Sequence, residues 1–386
     1  PLAVVPLRRS SPWLFKKQEY LYSIDHSTFF ASCVMISHLT SKANNIMSNN
    51  SSGDDLAAAA AFERVVTIEE LYELCESYTL SLGALKEKQL HKLLLGKDKE
   101  GFIVSYYEYP FFHQACMNEK VTLEIIEYLL SIFPQVGCLK TNEFCPDGDD
   151  GGTESYPLHV CCYNELCPNE VIGLLVEKYP DALSHCCIFR EGIGEIGDDG
   201  MGLPLHYYLE RESNVDIDTV KVLVEAYPEA LTDDFDLAPI HIAATNPHID
   251  NLLEILVYLL ESEPSSIRLM DRWDATLLDV TCKNKGTSLG LFQLLYNAWP
   301  EALRLRNGYD HLPIHGLCRN KDLDETASID ILQFMLEIDP NLPREVGNDG
   351  WLPIHDAVAN KSTAFCKILT DAYPESLRVE SYGQLP

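Results

Sequence analysis

The amino-acid sequence predicts an all-α fold, a helical repeat solenoid of about seven helix–loop–helix units joined by extended turns. Two short phrases recur in a fixed order along the chain, and the residues between them carry apolar side chains at helical spacing. Two phrases that alternate in this way over most of a chain are not expected by chance. We therefore take the repeat as the observation that sets the fold class.

The first phrase is Pro-Leu-His or Pro-Ile-His, and a proline there suits the first turn of a helix, where its missing N–H costs no hydrogen bond. We use the last residue of the phrase as the marker of each unit. The markers are His113, His159, His206, His241, Asp279, His315 and His355, of which the first and the fifth belong to weaker copies. They are 46, 47, 35, 38, 36 and 40 residues apart, so the unit has a length in the mid-thirties with insertions.

The second phrase places a proline 19 to 25 residues after each marker. The residue pairs are Phe133-Pro134, Tyr179-Pro180, Tyr227-Pro228, Glu263-Pro264, Trp299-Pro300, Asp339-Pro340 and Tyr373-Pro374. Because proline lacks a hydrogen-bond donor and clashes with the preceding turn, it is expected to end the second helix of each unit. Polar side chains predict where that helix begins. They are Thr122, Asn169, Asp250, Ser288 and Ser328.

Asparagine stands five residues after the marker in six of the seven units. These residues are Asn118, Asn164, Asn246, Asn284, Asn320 and Asn360. Asparagine tolerates the left-handed conformation that often follows the last turn of a helix. We therefore expect it to end the first helix of each unit in that conformation.

The unit length, the opening phrase and the helix–loop–helix–turn order resemble the ankyrin repeat over roughly residues 101–386. That family usually has threonine before the proline. This chain has Tyr156, Leu203, Ala238, Leu312 and Leu352 instead. Thr276 keeps the hydroxyl in the unit marked by Asp279, so the departure concerns the geometry of the turn rather than the fold. The resemblance implies a protein-binding array in which the marker histidines His113, His159, His206, His241, His315 and His355 are structural hydrogen-bonding residues.

The chain is expected to have three parts. Residues 1–61 lack both phrases and are predicted to be a disordered or non-native segment, in which Met47 stands as a start codon would. Residues 62–100 carry two helical patterns, Thr67–Ser77 and Leu82–Leu95, and are predicted to form a helical N-terminal cap. Residues 101–386 are the repeat array. Because Gly383–Pro386 opens another repeat phrase, we expect the array to be truncated there and the native chain to be longer.

The charge of the chain restricts the class of partner. The net charge is −30, and residues 51–386 carry 24 basic and 57 acidic side chains, a net charge of −33. Such a body repels the phosphate backbone of nucleic acids and anionic lipid surfaces. We therefore expect a protein partner with a basic or neutral surface, and we expect binding neither to nucleic acid nor to a membrane.

The thirteen cysteines are odd in number and scattered, unlike the dense framework of a small secreted domain. They predict reduced thiols in an intracellular, cytoplasmic protein. The crowded cysteines between Cys138 and Cys187 lack the paired spacing of a zinc site, so no metal is expected, although a metal-responsive element remains the weakest alternative. Cys116, Cys162, Cys282 and Cys318 each follow a marker by three residues, where a small apolar side chain fits between helices.

Three further patterns resemble known sites, and each has a simpler explanation. The Gly-x-Gly-x-x-Gly run at 192–197 follows the end of a repeat and is flanked by acidic residues, whereas a dinucleotide site needs a preceding strand and a following helix. The acidic run 147–154 lacks the glutamate that completes a calcium loop. The histidine–cysteine pairs recur with the fold, whereas a catalytic pair is needed once. No cofactor and no catalytic residue is expected.

These observations favour an intracellular, non-catalytic scaffold or adaptor that binds another protein. The alternative is that the array is the targeting or regulatory region of a larger enzyme whose catalytic part lies outside this segment. Aromatic side chains recur six residues before a marker, in the turn that joins one unit to the next. The candidate protein-binding residues are Phe235, Trp273, Tyr309 and Tyr382, with Trp351 and Tyr109 two residues later. The competing interpretation is that these rings pack against neighbouring turns.

Overall fold

The computed structural model of the protein describes residues 68–88, 90, 110–141, 154–188, 201–232, 237–347, 350–381 and 384–386. All of them belong to the unit Val65–Pro386, one of the two units into which the chain divides. The predicted segment 1–61, the glycine-rich run 192–197 and the acidic positions 147–150 lie outside the described residues. Helices dominate the described residues, which confirms the predicted all-α class.

The helices occur in pairs. The cap pair is α1 (Ile68–Glu76) and α2 (Leu82–Glu87). The first helices of the units are α3 (Phe111–Met117), α5 (Pro157–Tyr163), α7 (Pro204–Leu209), α9 (Pro239–Thr245), α11 (Leu277–Lys283), α13 (Pro313–Arg319) and α15 (Pro353–Asn360). The second helices are α4 (Leu123–Ile132), α6 (Asn169–Lys178), α8 (Ile217–Ala226), α10 (Leu252–Ser262), α12 (Leu289–Ala298), α14 (Glu325–Ile338) and α16 (Thr363–Ala372). Two-residue strands, β1 (Cys187–Ile188) and β2 (Met201–Gly202), pair antiparallel before α7.

Consecutive pairs pack in chain order. Each first helix contacts the first helix of the next unit, from α3 to α15, and α1 of the cap contacts α3 in the same way. The buried apolar side chains therefore form one connected cluster that extends from Ile68 to Leu369. The two helices of each unit pack against each other and against the neighbouring pairs, so the pairs depend on one another for stability.

The proline of the first phrase lies at the start of a first helix, and the proline of the second phrase follows the end of a second helix. All five full copies of the first phrase place proline at the start of a first helix, as predicted. The second helices end before the second phrase, which is also confirmed. The sequence analysis missed the short 3₁₀ turn that starts at this proline in six units, for example Pro300–Arg304. Proline suits that position because the first residues of a helical turn need no intrahelical donor.

The predicted starts of the second helices are correct only in part. Thr122 and Ser288 are N-caps whose hydroxyls accept from the backbone N–H of the residue three positions later. Ser328 was wrongly placed, because α14 already begins at Glu325, where the Asp324 carboxylate accepts from the N–H of Ala327.

Two further starts also differ from the prediction. Asn169 is the first residue of α6 rather than its cap, and Asp250 precedes the cap residue Asn251. Helix α2 ends at Glu87, where the N–H of Lys88 bonds the Leu85 carbonyl in a tighter turn, and residues 91–95 of the predicted pattern lie outside the described residues.

The recurring asparagine ends the first helix, but not in the predicted conformation. Five of the six asparagines are C-cap residues in extended backbone, with φ between −67° and −85° and ψ between 96° and 137°. Asn360 is the last residue of α15, and Lys361 caps that helix. The predicted left-handed conformation is therefore wrong. The role of the asparagine lies in its side chain, which reaches the preceding unit.

The side chain of Asn284 shows this role. Its Nδ2 donates to the carbonyls of Ala244 and Asn246, at 2.7 and 3.2 Å, and its Oδ1 accepts from the N–H of Gly286 at 2.7 Å. The two carbonyls belong to the end of the preceding first helix, where intrahelical donors are lacking. The same bonds to the preceding pair recur at Asn118, Asn164, Asn246 and Asn320. We call this set of side-chain bonds the inter-unit clamp.

Two cations make the clamp bond in the units where an asparagine does not. Arg211 stands five residues after its marker, and its Nε donates to the Cys162 carbonyl at 2.8 Å while its guanidinium also bonds the Cys161 carbonyl. Lys361 bonds the carbonyl of Asn320 through its ammonium group. Every unit in the described residues is therefore joined to the one before it by a side-chain donor.

The last unit exposes side chains that the other units bury. Val358 is 48% exposed, whereas the cysteines at the same position in other units, such as Cys318, are fully buried. Leu377 is 52% exposed, whereas its counterpart Leu303 is 2% exposed. These are the positions that each unit covers with its successor, and no further helix pair follows within the described residues.

Substitution Asn284→Ala should lower the free energy of unfolding by about 2 to 4 kcal/mol, because two hydrogen bonds are lost and buried carbonyls stay without a donor. Asn341→Ala is the matched control, because Asn341 is exposed and outside the clamp. Denaturant unfolding monitored by circular dichroism measures both variants. Equal stability of the two variants would contradict the role of the clamp.

Candidate functional site

The turns between units are held by an acidic or amide side chain at their start. In the turn 271–275, the Asp271 carboxylate accepts from the N–H groups of Trp273 and Ala275 at 2.8 and 2.7 Å. Asn307 makes the same pair of bonds in the turn 307–311, to the N–H groups of Tyr309 and His311 at 3.0 and 3.1 Å. Such bonds fix the backbone of a short turn. The two turns therefore share one rigid geometry.

Each of these turns contains a residue with positive φ five positions before the marker. Asp274 has φ 56° and Asp310 has φ 59°, and Gly350 has φ 72° in the next unit. Aspartate and glycine are among the residues that tolerate this conformation. The reversal of the chain therefore recurs at the same place in three successive turns.

Neighbouring turns lie against each other. The N–H of Gly308 donates to the Trp273 carbonyl at 2.5 Å. A Cβ atom at position 308 would lie 2.8 Å from that carbonyl oxygen, so only glycine permits this approach. The turns 271–275 and 307–311 thus form one continuous support rather than two independent loops.

Three of the predicted aromatic residues of the turns, which we call the aromatic row, lie within the described residues. Trp273 is half-buried, and the Arg272 guanidinium lies 4.1 Å above its ring. Tyr309 is 54% exposed on the next turn. Trp351 is half-buried, and its ring centroid lies 5.9 Å from that of the His355 ring. The predicted residues Phe235, Tyr382 and Tyr109 lie outside the described residues.

The residues of the aromatic row differ in whether they suit partner binding or packing against neighbouring turns. Tyr309 offers most of its ring to solvent and suits an interface. The ring of Trp273 is half-buried and lies against the Arg272 guanidinium, which favours packing within the turns. The structure brings these two residues together on adjacent turns.

The marker histidines lie inside the units. In His159, Nδ1 accepts from the N–H of Tyr156 at 3.3 Å and Nε2 lies 2.8 Å from the His185 carbonyl. His355 makes the same contacts to the N–H of Leu352 at 3.1 Å and to the Val379 carbonyl at 3.2 Å. A ring nitrogen that accepts leaves the other nitrogen as the donor, so these histidines are neutral and carry the proton on Nε2. The ring thus accepts from the N–H of the residue just before the first helix, whereas the Thr276 hydroxyl accepts from the N–H of Asp279 inside the helix.

Burial keeps these rings uncharged. Desolvation lowers the pKa of His113, His241 and His315 to about 4, and the pKa of His159 and His206 to about 3. The nearest carbonyls oppose this effect only weakly. At neutral pH the five imidazoles are therefore neutral, buried groups of the core.

Asp279 shows how the units tolerate a change of marker. The carboxylate is 2% exposed, and its Oδ2 accepts from Lys283 Nζ at 2.9 Å and from Asn307 Nδ2 at 3.0 Å. A carboxylate cannot donate to a carbonyl as histidine does. The following turn therefore supplies a donor through Asn307, and the helix supplies a cation four residues later. Sequence analysis missed this arrangement, although the aspartate and the lysine are visible there.

The cysteines that follow the markers by three residues are packing residues. Cys116, Cys162, Cys282 and Cys318 are fully buried, and burial raises the pKa of each thiol. The cysteines of the described residues are free thiols. Within the same residues, no three side chains of the ligand types form a group that could hold a metal ion. Cys145, which belongs to the crowded cysteine region, lies outside them.

None of the helices of the described residues is both long enough and apolar enough to cross a bilayer. In comparisons with known proteins, the sequence matches no protein-family model and resembles no curated protein closely.

The buried histidines predict acid sensitivity. Their folded pKa values lie below the unfolded value of 6.5, so the unfolded chain binds more protons between pH 6.5 and pH 4. Stability is therefore complete above pH 6.5 and is lost as the pH falls, by about 2 kcal/mol for each such histidine between pH 7 and pH 5. Urea unfolding over this range measures the slope.

The double variant His241→Asn/His315→Asn provides the comparison for the acid effect. It removes two of the five buried titrating rings, so its stability should depend less steeply on pH than that of the wild type. A wild-type stability that stays constant from pH 7 to pH 5 would contradict the buried, neutral state of the histidines.

Proposed function

We propose that this protein is an intracellular, cytoplasmic scaffold or adaptor that binds another protein through an ankyrin-type repeat solenoid and performs no catalysis. The observation that carries the proposal is the exposed ring of Tyr309 on the joined turns 271–275 and 307–311. The ankyrin-like order of phrases and the packing of successive helix pairs support the solenoid. The free thiols agree with the intracellular compartment.

The turns have the properties of a rigid binding support. Side-chain bonds fix each turn, and the bond from Gly308 to Trp273 joins one turn to the next. An aromatic ring on a fixed backbone buries a large area on binding and loses few rotamers. A partner can therefore bind here without a large entropic cost to this chain.

The histidine–cysteine pairs that could act in catalysis are buried within the units. His315 and Cys318, a predicted non-catalytic pair, are both fully buried. His159 and His355 bond the backbone through both ring nitrogens. A general base must reach the proton that it abstracts, and a nucleophile must be accessible to its substrate. These arrangements support the non-catalytic part of the proposal.

Variants of the two aromatic residues test the proposal. Tyr309→Ala should leave the melting temperature nearly unchanged and weaken partner binding by about 2 kcal/mol, whereas Trp273→Ala should also lower stability by about 2 to 3 kcal/mol. Tyr78→Ala is the matched control, because Tyr78 is 81% exposed in the cap pair, outside the turns.

Affinity capture with the intact chain and mass spectrometry would identify the partner, and titration with the purified partner would give the affinity of each variant. Equal affinity of the Tyr309→Ala and Tyr78→Ala proteins would remove the turns as the binding surface.

A further inference from the structure

The charge at one repeated position reverses along the chain. Six residues after the marker, the first three units have Glu119, Glu165 and Glu212. The last three units have Lys285, Lys321 and Lys361 at the same position. The position lies just beyond the first helix of each unit. This repeated position is therefore acidic in the first three units and basic in the last three.

A second repeated position also carries basic side chains in the late units. Four residues after the marker, the units marked by Asp279 and His315 have Lys283 and Arg319. Residues 268–321 contain eight basic and five acidic side chains, a net charge of +3, whereas the rest of the chain has a net charge of −33. The positive charge is confined to this stretch, because Asp322, Asp324 and Glu325 follow Lys321.

The cations point outward, and the acids that pair with them are buried. Lys283 Nζ lies 2.9 Å from Asp279, and the lysine side chain is 50% exposed while that of the aspartate is 2% exposed. Arg319 Nε lies 2.8 Å from Asp356, with side-chain exposures of 39% and 4%. The buried carboxylates fix the cations in place, and a ligand from solvent meets the cationic groups first.

The lysines of the loops complete the group. Lys285 and Lys321 are exposed, and no ion pair joins them to another side chain in the part of the chain that the structure describes. Lys361 differs, because its ammonium group is used by the inter-unit clamp. We call Lys283, Lys285, Arg319 and Lys321 the cationic strip.

The cationic strip adjoins the joined turns. The Arg319 guanidinium nitrogens lie 3.2 and 3.1 Å from the two ring nitrogens of His311, which belongs to the turn 307–311. Tyr309 stands two residues before His311 on the same turn. A ligand that contacts the exposed ring can therefore reach the strip without leaving this surface.

We propose that the cationic strip binds an acidic linear segment of a partner protein, an inference that rests on the proposed function and adds the chemistry of the partner. Glutamate and aspartate side chains pair with arginine and lysine through charge-assisted hydrogen bonds. A peptide touches only the strip and the neighbouring turns. A nucleic acid carries its charge along a long backbone, which the acidic remainder of the chain repels.

Fluorescence anisotropy with two labelled peptides tests the inference. One peptide alternates Glu and Ser, and the other alternates Gln and Ser. At low ionic strength the Glu peptide should bind the intact chain and the Gln peptide should not, and added salt should weaken the binding. The variant Lys285→Glu/Lys321→Glu should lower the affinity for the Glu peptide by about tenfold or more.

The matched control is Lys178→Glu/Lys367→Glu, which changes the net charge by the same amount at exposed lysines of second helices. It should retain the affinity for the Glu peptide. An equal loss in both double variants would overturn the inference, because binding would then follow net charge alone. Equal binding of a single-stranded oligonucleotide would overturn it too, since the strip would then accept any polyanion.

Circular dichroism melting separates these outcomes from unfolding, because both double variants alter exposed side chains and should melt as the wild type does. If the Glu peptide fails to bind while Tyr309→Ala still weakens binding of the captured partner, the acidic partner is excluded and the proposed function stands. If the Glu peptide binds and Tyr309→Ala has no effect on binding of the captured partner, the cationic strip is supported as an acidic-peptide site and the turns are not supported as the binding surface.

Discussion

The fold depends on the side-chain amide that each unit places on the backbone of the unit before it. First helices of six to eight residues are too short to be stable alone, and they end in carbonyls without intrahelical donors. Asn284 and its counterparts supply those donors from the next unit. Because the carbonyl of one clamp residue accepts from the next, as Asn246 does from Asn284, the register passes from unit to unit. The array is thus stabilised by contacts between units as well as within them.

The sequence predicts where the helices begin and end better than it predicts the hydrogen bonds between units. Proline and histidine act within three residues of each other, so the phrase alone marks the start of a first helix. The clamp could not be read in this way, because Asn284 bonds residues about forty positions earlier, and the local preference of asparagine pointed to a left-handed cap instead. Arg211 replaces the asparagine of its unit, and Lys361 bonds the preceding unit in place of the neighbouring Asn360, which only the three-dimensional contacts reveal.

For the candidate site too, the sequence identified residues but not their exposure or the local charge around them. Aromatic residues six positions before the marker identified Trp273 and Tyr309, but spacing could not tell which ring faces solvent. In the structure, Tyr309 is 54% exposed and Trp273 is half-buried. The charge of the strip was hidden by the acidic composition of the whole chain. It appears only when side chains are compared at the same position of successive units, as for Glu212 and Lys321.

The central claim is that the clamp amides are buried hydrogen-bond donors between units, and their hydrogen exchange measures this most directly. In a side-chain amide NMR experiment, the Nδ2 protons of Asn118, Asn164, Asn246, Asn284 and Asn320 should exchange with solvent much more slowly than those of the exposed Asn341. Exchange of the clamp amides as fast as that of Asn341 would contradict the account, because the units would then be held together without these bonds.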